Sequence, residues 1–185
     1  MLTIGRYVDS LVYSIPKDTY FLAFFVLCIG FAMLMGLCGY RRGIRYSIVL
    51  LLTEYVFLLY GSTVFFRPIA KHRDFELMPF WSYSEPDLFL ENLMNVMIFV
   101  PIGLLLGFMV HGSRIEKGWM VALYVGFGLS AGIETLQFVM KRGFSEVDDV
   151  MHNTAGCLMG YGISSIIYTM WKRSELCVKR KLFKQ

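Results

Sequence analysis

The sequence predicts an all-α protein, a polytopic membrane helix bundle of about five transmembrane helices. Three observations predict it. The chain is 56% hydrophobic and only 17% charged, with a mean hydropathy of +0.55, an apolar excess beyond what the core of a water-soluble domain needs. Those apolar residues fall into five runs near the roughly 20 residues that a bilayer core requires. The basic residues gather at the ends of the runs, as membrane topology asks. The formal net charge of +4 therefore implies no nucleic-acid partner. At 185 residues the chain is read as a single domain, 1–185.

Residues 1–18 carry Ile4, Val8, Leu11, Val12 and Ile15 at helical spacing and stop at Pro16, which predicts a helix lying in the membrane interface. The run 20–37 is the first span. It is too long for the apolar core of a cleaved signal and has no small-residue cleavage site after it, so it is read as a retained helix. Residues 47–66 form the second span, interrupted by Glu54, which is read as structural. The segment 67–91 breaks into turns at Pro68, Pro79 and Pro86. Its Phe75, Leu77, Met78, Phe80, Trp81 and Phe89 predict packing against the membrane surface. Spans three, four and five follow at 93–110, 119–140 and 150–171, and then a basic cytoplasmic tail, 172–185.

Orientation follows from the basic residues. With the N-terminus outside and the C-terminus inside, the short inner segments hold eleven of the eighteen Lys and Arg, and the outer segments hold seven.

The cysteines define no framework. Cys28 and Cys38 on one helix lie about 15 Å apart, too far for a disulfide, while Cys157 sits in an apolar run and Cys177 in the basic tail. His72, His111 and His152 are scattered, so no metal or other cofactor is expected. Gly128-Leu-Ser-Ala-Gly132 matches a nucleophile-elbow spacing, but lies inside a spanning helix rather than at a strand–helix turn. Its small residues, like the pairs Gly103/Gly107 and Gly156/Gly160, suit close helix contacts.

The chemistry gathers at the outer ends of the spans. Asn92 and Asn95 share one face of the third, Glu134 and Gln137 one face of the fourth, and Asp149 and Asn153 one face of the fifth. Arg142 stands in the short turn between spans four and five. Carboxylates and amides in hydrocarbon need partners or a proton. The structural reading of each group stays open: the asparagines as interhelical glue, Glu134 paired with Arg142 or Gln137, Arg142 as an interfacial anchor. Asp148 with Ser145 reads as a helix cap.

These residues carry a resemblance. Leu77-Met-Pro-Phe80, Glu91-Asn-Leu-Met-Asn95, Phe99-Val-Pro-Ile-Gly103, Glu134-Thr-Leu-Gln137, Arg142 and Asp148-Asp149-Val-Met-His-Asn153, through Gly156 to Gly160, follow one another in order. Over about residues 67–165 the chain resembles the VanZ-like membrane proteins. The resemblance implies a multi-pass protein of the bacterial cytoplasmic (inner) membrane, in a family linked to reduced susceptibility to teicoplanin and related lipid-tailed glycopeptides. It also implies that Asn92, Asn95, Glu134, Gln137, Arg142, Asp149 and Asn153 are the functional positions.

Three functions fit. The first is a non-enzymatic site for membrane lipid, a lipid-linked wall precursor or a lipoglycopeptide, with Arg142 on a phosphate or carboxylate. The second is an enzyme acting on a lipid or wall precursor, with Glu134 and Asp149 as acid and base. The third is a small transporter or flippase, which five spans would form as a homo-oligomer or with a partner.

Overall fold

A computed structural model describes residues 41–71, 74–84, 88–111 and 115–182. The expected interfacial helix and first span lie outside them. The chain divides into two compact units, Met1–Thr53 and Glu54–Gln185, and everything that bears on the site belongs to the second.

Four helices dominate the described residues: α1, Arg41–Tyr60; α2, Phe89–Val110; α3, Gly118–Met140; and α4, Val147–Leu182. A π-helical turn, Gly61–Phe65, extends α1. Among the described residues three helices are long and apolar enough to cross a membrane: Tyr46–Phe65, Phe89–Val110 and Gly118–Met140. Only 17%, 33% and 28% of their most apolar windows are buried inside the protein. The remaining surface carries exposed Phe57, Leu93, Tyr124 and Phe127. Apolar surface on that scale marks contact with lipid, so this is an integral membrane protein.

Three of the five expected spans are thus present among the described residues, and α4 differs from them. The stretch 150–171 is helical, but it forms part of one 36-residue helix, about 54 Å long. His152, Asn153 and several glycines and serines dilute its apolar content, so it is not among the three. No break occurs at Trp171, and the helix runs on through the first part of the basic segment.

Close contact between α2 and α4 follows from glycine. A Cβ on Gly103 would stand 1.8 Å from the Cys157 carbonyl oxygen, and one on Gly156 or Gly160 would stand 2.0 Å from the carbonyl oxygen of Val96 or Val100. The two helices therefore meet backbone to backbone, around a core that includes Phe99, Ile102, Leu106 and Cys157.

Two strands depart from the all-α expectation. β1, Asp74–Glu76, and β2, Phe144–Glu146, pair in parallel, with Phe75 opposite Ser145. Three residues are too few to display an alternating pattern, and the partners lie about seventy positions apart. Instead of lying only on the membrane surface, residues 74–84 of the 67–91 segment are clipped to the end of the bundle. Phe75 packs edge-on against Phe138 at 5.5 Å and Trp81 against Phe144 at 5.8 Å. Leu77, Met78 and Phe80 remain exposed.

Candidate functional site: an acidic, apolar groove at one end of the bundle

The turn that ends α3 builds the site. Lys141 takes the left-handed conformation (φ 55°) and donates its N–H back to the helix, and Gly143 follows at φ 138°. This reversal sends the chain straight into β2 and α4. The end of α3 and the start of α4 are thereby held side by side, as the short turn predicts.

Each of the seven expected residues lies at this end, but they form separate hydrogen-bonded pairs. The Asn95 amide donates to Asp149 Oδ1 at 2.6 Å, a direct bond between two of them. Asn92 donates to the Ser82 hydroxyl at 3.1 Å. Glu134, 7% exposed, accepts the Glu146 backbone N–H on Oε2 at 3.0 Å. Gln137 donates to the Thr63 carbonyl at 3.0 Å, which leaves its Oε1 buried without a partner. Asn153 donates to the Ser130 hydroxyl at 2.8 Å, and its Oδ1 is likewise unpartnered. Ser130, the middle of the elbow-like spacing, is fully buried and serves as that acceptor.

Among the described residues, Arg142 meets no carboxylate. Its Nη1 donates to the carbonyls of Phe65 and Arg67, closing the end of the α1 extension, where helical carbonyls lack partners.

Asp148 is not a helix cap. Its fully buried carboxylate accepts the Phe80 N–H at 2.6 Å, the Ser82 N–H at 3.1 Å and the Ser82 hydroxyl at 2.6 Å. Ser145, the supposed partner in a capping box, donates instead to the Glu134 carbonyl at 3.1 Å. Phe80 sits at φ 66°, a region that side chains avoid, so Asp148 holds a strained turn. Burial works against its ionisation, yet the bonds from Ser82 and Phe80 hold its carboxyl below the usual aspartate value.

Three further groups escaped the sequence reading. Glu146 accepts the Trp81 indole N–H at 3.1 Å. Burial, helped by the charge of Asp149, pushes its carboxyl up to about 7. Arg67 supplies the cation that acts on Asp149, whose carboxyl burial still lifts to about 6. Tyr83 shares a hydrogen bond of 2.8 Å with His152. Arg67 stood in the sequence as a charge at a span end, and only the fold brings it near the start of α4.

Between α3, the first turn of α4 and the clip lies an open groove of about 460 Å³. Phe75, Leu77, Ala131, Phe138, Val147 and Val150 supply apolar walls, and Glu76, Glu134 and Glu146 supply acidic groups. Such a groove suits a molecule with an apolar body and a polar end. Among the described residues no three His, Cys, Asp or Glu side chains converge to hold a metal ion.

The fold and the groove define an integral membrane helix bundle with an acidic, amide-rich site where its helices end. The family model for VanZ/LLP1 matches residues 44–168, and the chain belongs to that family. It is 33% identical over 96 residues to Protein VanZ of Enterococcus faecium, an alignment covering 50% of this chain and 55% of that protein. The chain thus spans about half the length of the curated relative it matches. No solved structure matches it.

Proposed function

We propose that this VanZ/LLP1 member lies in the bacterial cytoplasmic membrane with its groove in the outer leaflet. There it binds an amphipathic molecule: a lipid, a lipid-linked wall precursor or a lipid-tailed glycopeptide. Through that binding it shifts the susceptibility of the cell envelope to drugs such as teicoplanin, the link that the VanZ resemblance implies. The observation that carries the reading is the groove itself, where a nearly buried carboxyl, Glu134, stands beside open apolar walls. The distribution of Lys and Arg supports the outer placement.

Two measurements test it together. Teicoplanin susceptibility is compared in cells producing the protein, its Glu134→Gln variant or neither, at matched membrane abundance. The wild type is expected to protect and the variant to lose protection. Cysteines placed at Glu76 and Glu116 are then labelled by a membrane-impermeant maleimide. The expected result is labelling of the first alone in intact cells. Equal protection by the variant sinks the site, and labelling of the Glu116 position sinks the orientation.

A further inference from the structure

The Arg142 side chain is engaged by the Phe65 and Arg67 carbonyls. The acidic side chains lining the groove are then Glu76, Glu134 and Glu146, with no Lys or Arg among the described residues of its walls. We infer that the groove takes a cationic amphiphile, with an ammonium group against the Glu134 and Glu146 carboxyls and a hydrocarbon body along Phe75, Leu77, Phe138 and Val150. This rests on the binding function proposed above and narrows its ligand.

Charge complementarity carries the argument. Glu134 is more than nine-tenths buried, and the charges that act on it, Asp149 and Glu146, are negative. A buried carboxylate surrounded by like charge is costly. An ammonium group entering beside it removes that cost, donates hydrogen bonds to both carboxyls and is strengthened by the apolar walls. A phosphate or sulfate headgroup in the same place adds a further negative charge. Selectivity for the cation is therefore built from the lining itself. The Glu146 carboxyl, held up at about 7 by burial and by Asp149, ionises fully when a cation binds.

The test uses two probes of equal chain length, dodecylammonium and dodecyl sulfate, titrated onto the full-length protein in phosphatidylcholine nanodiscs. Binding is counted above that of empty nanodiscs. The wild type is expected to bind dodecylammonium saturably and dodecyl sulfate at least tenfold more weakly. Glu146→Gln and Glu134→Gln should each weaken the cation at least fivefold, whereas Glu116→Gln, an exposed carboxylate outside the groove, should change nothing. Glu146→Gln keeps an acceptor for Trp81, so it decides the matter if Glu134→Gln fails to fold. Equal affinity for both probes, or cation binding unmoved by Glu146→Gln, overturns the inference. A preference for dodecyl sulfate refutes the ligand class but leaves a binding groove, whereas saturable binding of neither probe refutes the groove as well.

Discussion

Glu134 Oε2 accepts the backbone N–H of Glu146 at 3.0 Å, so a buried carboxyl on one spanning helix fixes the strand that carries a second carboxyl of the groove. The bond gives Glu134 a structural task beside its chemical one, and the two separate by substitution. Glu134→Gln retains a carbonyl oxygen for the Glu146 N–H and should leave the melting temperature in detergent nearly unchanged. Glu134→Ala strands that N–H and should cost about 1–3 kcal/mol. Equal melting of the two variants contradicts the assignment.

Asp148 ties the turn at Phe80 and Ser82 to the start of α4 through three hydrogen bonds. Asp148→Ala removes all three and should destabilise the protein by about 3–5 kcal/mol, the range for breaking a buried charged network. Because the folded-state pKa is lowered, the stability contributed is present above the unfolded value of about 4. It is lost as pH falls through the folded value. Thermal melts taken downward from pH 5 should show this loss in the wild type and not in the variant.

Glu146 titrates with the opposite sign. Its pKa is raised from 4.5 to about 7, so the folded state holds the proton more tightly than the unfolded chain. The stabilisation is complete below 4.5 and is lost as pH rises from 4.5 to 7. Since the Trp81 indole donates to this carboxyl, Trp81 fluorescence in a variant lacking Trp119 and Trp171 should shift with a midpoint near 7. The shift should vanish in Glu146→Gln. A midpoint near 4 contradicts the burial assigned to Glu146.

The seam between α2 and α4 has no room for a methyl group. Gly156→Ala sets a Cβ 2.0 Å from the Val96 carbonyl oxygen, and the backbones must part. Overpacking of this kind costs about 1–3 kcal/mol or more, to be read as a lower melting temperature and reduced membrane abundance. Gly128→Ala, where no atom lies within 4 Å, is the silent comparison.

Much of this architecture is legible in the sequence. Apolar runs located α2 and α3 to within a few residues, and paired small residues at Gly103 and Gly156 announced the tight seam. Helical spacing placed Asn92, Glu134, Asp149 and their neighbours at one end of the bundle. What the sequence withheld depends on distant pairing. β1 and β2 are three residues each, and Asp148 has the same local pattern whether it caps its own helix or binds Ser82. Arg142 looked available because a turn position says nothing about the Phe65 and Arg67 carbonyls brought beside it. Of the five expected spans the described residues show three, and the α4 run, diluted by His152, Asn153 and several glycines and serines, is less apolar than those three.

Occupation of the groove by an amphipathic ligand is measured directly by teicoplanin binding to the full-length protein in nanodiscs with the groove open or filled. Thr135 lines the groove and is solvent-exposed, so Thr135→Trp fills it without disturbing the core. The wild type should bind saturably, and Thr135→Trp should bind at least tenfold more weakly at an unchanged melting temperature. Equal binding by the two proteins, or no saturable binding by the wild type, would contradict occupation of the groove.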